Sequence, residues 1–175
     1  MVSSIQKKKA TLFLKFHHDT EILVLANSWD TGSSKLIEAS GYKAVATTSM
    51  GIAASLGYPD CQVIQLPEMI HAVTGIVNAV HVPVTVDIEA GYGNNLGEII
   101  DAVEKIIATG IVGINIEDSI DLNPILIDEM EFCERISAIR ALSDSLGFHL
   151  VINARTDSFY TSSGSLREKL SESIR

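Results

Sequence analysis

Five short apolar runs punctuate this chain: ILVLA (22–26), AVATT (44–48), VTVDI (84–88), VGINIE (112–117) and HLVINART (149–156). A strand that is apolar along its length, rather than at every second position, is covered on both faces. Each run is followed by a stretch with helical spacing. A parallel partner needs a crossover, and a helix is the usual one, so the pattern predicts an α/β fold with a parallel sheet.

The helical stretches carry their own boundaries. Residues 3–18 read as a helix with Ile5, Leu12, Phe13 and Phe16 on one side. Asp30 caps a helix that ends at Gly41, and a short helical piece lies near Ile52–Leu56. Pro67 suits the first turn of the next helix, whose stripe is Met69, Ile70, Val73, Ile76, Val77 and Val80. Asn95 and Glu98 form an N-cap pair, with Leu96, Ile99, Ile100, Val103, Ile106 and Ile107 as the buried face and Gly110 as the stop. Asp128 starts a long helix closed by Gly147, and a last helix begins near Ser165.

Two architectures accommodate five such units. A doubly wound five-strand sheet would be complete at 175 residues. A (β/α)8 barrel needs about 250 residues, so this length supplies between five and six units. The chain stops inside a helix, and its special residues cluster at the C-terminal strand ends. Both favour an incomplete (β/α)8 TIM-barrel domain over residues 1–175, with residues 1–18 as a helix packed on the barrel. Strand-end ligand sites also occur in open sheets, so that clue is shared.

Charge narrows the partners. With 13 Lys and Arg against 22 Asp and Glu, the net charge is −9, which lacks the basic face that nonspecific nucleic-acid binding needs. No stretch approaches the roughly 20 apolar residues of a membrane span. Two cysteines without C-x-x-C spacing suit a reducing compartment, and the first residues lack a signal-peptide pattern. A cytoplasmic enzyme with no nucleic-acid or membrane partner is the expectation.

The third run ends in TVDIEAGYG, where two carboxylates, Asp87 and Glu89, stand one residue apart. In extended chain, residues i and i+2 share a face, so the two project together if the strand persists. Glu117 and Asp118 end the next strand in the same way. Adjacent like charges repel unless something positive lies between them. Hard oxygen ligands favour Mg²⁺ or Mn²⁺; the alternative is two solvated acidic loops. Arg155, at the end of the fifth strand, suits a carboxylate or phosphonate clamp, or equally a salt bridge to Asp157 or the acidic cluster. The TTSMG run (47–51) has hydroxyls and N–H groups that could face an anion or a developing enolate oxygen, although any βα turn looks similar. Together these parts suit a metal-chelated 2-oxo acid whose enolate forms when a bond to C3 breaks.

ANSWD (26–30), TTSMGIAASLGYPD (47–60), VTVDIEAGYG (84–93), GINIEDS (113–119) and VINARTD (151–157) closely resemble the isocitrate lyase and phosphoenolpyruvate mutase superfamily, in its order and spacing. Within it the chain looks like the phosphonomutase-like group. The resemblance implies a (β/α)8 barrel, a Mg²⁺ site and α-carboxy enolate chemistry on a small carboxylate or phosphonate. It assigns Asp87, Glu89 and Glu117 to the metal. Asp60 and Arg155 fall at catalytic positions, and Thr48, Ser49, Met50 and Arg155 at substrate-binding ones. It implies a homo-oligomer when the barrel is whole, because members exchange a C-terminal helix.

Departures qualify the reaction. The Lys-Lys-Cys-Gly-His loop of isocitrate and methylisocitrate lyases is absent, and Cys133 in EFCERI is spaced like the inner face of a helix. Phosphoenolpyruvate mutases have lysine after the Ile-Glu-Asp motif, where this chain has Ser119; Asn123 follows in a loop without the matching context. None of the five histidines falls at a catalytic position, and His71 and His81 read as surface or helix-end residues. Carbon–carbon cleavage or decarboxylation is the first expectation, P–C bond chemistry the second. The family's last three strands have no counterpart here, which leaves a fragment, a wall supplied by oligomer contacts, or a non-catalytic paralogue as explanations.

Overall fold

A computed structural model describes residues 2–119, 125–160 and 164–173. The elements follow as α1 (Ser4–His17), β1 (Ala26–Ser28), α2 (Thr31–Ala39), β2 (Val45–Thr47), α3 (Ser49–Ser55), α4 (Leu66–Ala79), β3 (Val84–Asp87), α5 (Leu96–Ile107), β4 (Gly113–Glu117), α6 (Glu129–Ser145), β5 (Val151–Arg155) and α7 (Leu166–Glu172). The cap residues act as their chemistry dictates. Asp30, Asn95, Asp128 and Ser165 each accept a backbone N–H of the first turn they precede. Pro67 occupies the first turn of α4, where its missing N–H costs nothing. Gly110 and Gly147 end α5 and α6 at φ of 105° and 68°, a region that strains a residue bearing a Cβ.

The five strands are all parallel and lie in chain order, β1-β2-β3-β4-β5. This order decides between the two architectures. A doubly wound sheet reverses its winding at a switch point and places its first strand inside. Consecutive order with right-handed crossovers instead puts every covering helix on one face, which is the arc of a barrel. Five βα units of a TIM-type barrel are present. Val45, Val84, Val86, Ile114 and Ile116 face the helices and are fully buried with Met69, Val73, Ile76, Ile99, Val103 and Ile106. Residues of the other parity, among them Ala46, Thr85, Asp87, Asn115, Asn153 and Arg155, line a cavity of about 410 Å³ on the concave face. Registry aligns them: Asp87 lies beside Asn115, Asn115 beside Asn153, and Glu117 beside Arg155.

Helix α1 plugs the N-terminal end of this concavity. Phe13 is buried so close to Gly113 that a Cβ there would stand 2.7 Å from the ring. The face of α1 differs in part from the expected one: Phe13 and Phe16 pack on the core, while Leu12 is exposed. Ile5 is 66% exposed, and the inward residues are Gln6, Ala10 and Phe13. Gln6 is inside because its amide donates to the carbonyls of Ile107 (2.9 Å), the last residue of α5, and Ile111 (2.8 Å), in the turn before β4.

Two other expectations are corrected. The first strand lies at Ala26–Ser28 rather than 22–26, since only those residues find partners on the three-residue β2. Ile22 and Val24 point outward, 90% and 60% exposed, while Leu23 and Leu25 pack on the core. Cys133 is exposed rather than core. The inner stripe of α6 runs through Phe132, Arg135, Ile136, Ile139, Leu142, Ser143 and Leu146, and position 133 lies off it. Asn123 lies outside the described residues. Among those described, no helix is long and apolar enough to cross a membrane.

Candidate active site

The C-terminal ends of β2 to β5 bring Ser49, Asp87, Glu117 and Arg155 to one mouth. Asp87 closes β3 and is held on both oxygens. Its Oδ2 accepts the Ser49 hydroxyl (2.8 Å) and N–H (3.2 Å); its Oδ1 accepts the Asn115 amide (3.1 Å) and the Glu89 N–H (3.3 Å). Asn153 in turn donates to the Asn115 carbonyl, so the Asn115 amide group is oriented with its N–H toward Asp87. Thr47 accepts the Asp87 N–H at 3.0 Å.

Arg155 makes the salt bridges its position allowed, to Asp157 and to the acidic cluster. Its Nη1 lies 2.9 Å from the Glu117 carboxylate and its Nε donates to Asp157 at 2.7 Å. The guanidinium also sits 5.5 Å from the ring centre of Tyr160. Asp157 is buried and held from behind: Ser119 donates to it, and its own N–H goes to Asp118 at 2.8 Å. Glu117 is nevertheless pushed up to about 8. Burial is the main cause, and the charges of Asp157, Asp87 and Glu89 add to it, outweighing the attraction of Arg155.

Glu89 does not continue the strand. β3 ends at Asp87, and Glu89 turns to φ 51°, so the alternation that would have set it beside Asp87 stops one residue short. Its carboxylate is 4% exposed, accepting the Tyr92 hydroxyl at 2.9 Å and the Gln62 N–H. Burial raises its pKa, opposed by those two hydrogen bonds and reinforced by Asp60 and Asp87. Asp60 therefore lies within electrostatic reach of this group, on the loop between α3 and α4. In the TTSMG turn three N–H donors are already used: Thr48 N–H by Ser28, Ser49 N–H by Asp87 and Gly51 N–H by Thr48. The Met50 side chain is exposed.

The donor set suits a hard divalent cation held largely through water. Among the described residues no three His, Cys, Asp or Glu side chains converge into a cage. Yet Glu117, Asp157 and Asp87 surround the Arg155 guanidinium, Glu89 adds its charge to Glu117 and Asp60 to Glu89, and such mutual repulsion is the kind a cation relieves. Mg²⁺ needs few direct carboxylates and keeps its waters, so oxygens already hydrogen-bonded can still serve it.

Residues 13–175 match the family described as phosphoenolpyruvate phosphomutase. The chain belongs to that family. It thereby falls in the isocitrate lyase/phosphoenolpyruvate mutase superfamily of lyases and mutases. It is 31% identical over 159 residues to 2-methylisocitrate lyase of Vibrio cholerae, covering 85% of this chain and 49% of that enzyme. A solved structure from Burkholderia cenocepacia J2315, described as a phosphonomutase, superposes with TM-score 0.89 at 32% identity over 97% of this chain and 68% of that one. Oxaloacetate acetylhydrolase in complex with oxalate gives TM-score 0.80 at 28% identity, over 97% and 60%. The chain spans about half the length of the curated relatives it matches.

Within this phosphomutase family member, several site residues went unassigned on sequence alone. Asn115 and Asn153 lie inside the quoted motifs, but uncharged amides on strands carry no distinctive signal. Tyr92 and Gln62 gave none either. In the sequence Asp157 reads only as a partner for Arg155.

Proposed function

We propose that this site serves a Mg²⁺- or Mn²⁺-dependent lyase that cleaves a carbon–carbon bond, or decarboxylates, a small 2-oxo or 2-hydroxy acid through an enolate. The observation that carries the reading is the crowding of Asp87 and Glu117 around Arg155 at the mouth of one cavity, with Glu117 raised to about 8. Asp87 and Glu117 would hold the cation and its waters, with Glu89 behind them. The cation, when bound, supplies Lewis-acid stabilisation of negative charge on the enolate oxygen. Arg155 binds the substrate carboxylate in bidentate fashion, its fork kept in plane by Asp157. Thr48, Ser49 and Met50 would frame the substrate oxygens, and Asp60, on the loop between α3 and α4 within electrostatic reach of Glu89, would accept or return a proton. The likeness to 2-methylisocitrate lyase and to oxaloacetate acetylhydrolase with oxalate supports carbon–carbon chemistry on such acids.

A second reading, P–C bond chemistry on a phosphonate acid, is favoured by the likeness to the Burkholderia phosphonomutase. A third, a non-catalytic paralogue that still binds acids, is favoured by the fact that no three acidic side chains among the described residues converge into a cation cage. One experiment separates them. The purified chain is given Mg²⁺ with oxaloacetate, 2-methylisocitrate or phosphonopyruvate, and products are read by NMR. Cleavage of a carbon–carbon substrate is expected, falling roughly a hundredfold or more in Asp87→Ala and Arg155→Ala. Turnover of the phosphonate alone selects the second reading. Binding of Mg²⁺ and oxalate by calorimetry without turnover selects the third, and absence of both binding and turnover removes all three.

A further inference from the structure

We propose that Tyr92 and Gln62, fastened to the Glu89 carboxylate, form a latch that positions Asp60 at the mouth, so that Glu89 serves the site through this loop rather than as a cation ligand. The inference deepens the lyase reading and rests on it for the role of Asp60.

Four non-glycine residues among those described have positive φ: Cys61 (71°), Gln62 (54°), Glu89 (51°) and Tyr92 (59°). Left-handed backbone is costly for a residue with a Cβ and persists only where surrounding contacts enforce it. All four fall in one knot. Glu89 Oε2 accepts the Gln62 N–H, Glu89 Oε1 accepts the Tyr92 hydroxyl (2.9 Å), and Gln62 Oε1 accepts the Tyr92 N–H (2.8 Å). Three hydrogen bonds thus close a ring between two segments that are far apart in sequence.

On the Glu89 side the ring is anchored to β4, and on the Gln62 side the buried Ile64 ties the loop to the core. Glu117 donates its N–H to the Glu89 carbonyl at 2.9 Å, and Arg135 reaches the Ala90 carbonyl at 3.4 Å. The other side is the connection between α3 and α4, which has no regular structure and carries Asp60 two residues before Gln62. Tying Gln62 to Glu89 therefore fixes where Asp60 stands. Asp87 and Glu117 are partly exposed at the mouth, whereas Glu89 is 4% exposed with its carboxylate turned to Tyr92 and Gln62.

The test is amide-resolved hydrogen exchange on Tyr92→Phe and Glu89→Gln, with Mn²⁺ titration and kinetics. Both variants are expected to speed exchange at residues 59–62 and 92 about tenfold or more, while amides of β3 and β4 keep their protection. Glu89→Gln keeps Mn²⁺ affinity within about threefold of the parent, since it removes no direct ligand. Tyr92→Phe lowers kcat at nearly constant KM, and that loss disappears in an Asp60→Ala background because the latch acts through Asp60. Unchanged exchange at 59–62, or acceleration spread evenly over the sheet, overturns the latch. Mn²⁺ affinity lost in Glu89→Gln but kept in Tyr92→Phe overturns it too, making Glu89 a ligand. A parent chain that takes up no Mn²⁺ counts against the cation reading of the site, while the exchange pattern still decides the latch.

Discussion

At the scale of single residues, charge alone does not describe this mouth; burial sets what each charge does. Glu117 stands 2.9 Å from Arg155 and is still raised to about 8. A carboxyl whose folded pKa lies above its unfolded value favours the folded state when protonated. That contribution is complete below the unfolded value near 4.5 and is lost as pH rises through about 8. Thermal melts of the metal-free protein should therefore fall between pH 5 and 9, Glu117→Gln should flatten the trend, and Mg²⁺ should restore stability at pH 8. A melting temperature flat across that range contradicts it. The acidic pairs and Arg155 were legible in the sequence because they break apolar runs. Asn115, Asn153, Gln62 and Tyr92 were not, because a neutral polar residue shows its role only through what it touches.

At the scale of elements, the helices were legible and their inward faces less so. The caps Asp30, Asn95, Asp128 and Ser165 and the stops Gly110 and Gly147 act within one turn, so local sequence contains the whole interaction. Asn95→Ala should cost about 1 kcal/mol by urea denaturation, through the lost bond to the Glu98 N–H. Faces depend on partners elsewhere. Gln6 lies inward on α1 because its amide donates to two carbonyls of the α5–β4 connection, those of Ile107 and Ile111, and Cys133 lies outward because the α6 stripe passes beside it. The seat of Phe13 against Gly113 is of this kind. Gly113→Ala should destabilise by about 1–3 kcal/mol, since its Cβ would stand 2.7 Å from both Phe13 and Thr85. In a Phe13→Ala background the same change should cost less, because one of the clashing groups is gone; equal costs in the two backgrounds would show that the contact is not the cause.

At the scale of the whole molecule, strand order is the decisive feature. Among the described residues β1 and β5 are paired on one side only, and Asn153 and Ala154 of β5 are exposed. Unpaired edges recruit further strands. The 175-residue chain should therefore associate with rising concentration in light scattering, and Ala154→Lys should weaken that association; a mass fixed at the monomer value at every concentration refutes the expectation. The sequence by itself determined the alternation of strands and helices, the helix ends, and the acidic residues and arginine at the strand ends, because periodicity, capping and charge are local properties. Tertiary structure alone decided the winding order, the true span of the first strand, the turn of Glu89 away from Asp87 and the union of the two loops around it. Each of those depends on hydrogen bonds between segments distant in the chain, and no local pattern encodes which distant partner a backbone group will find.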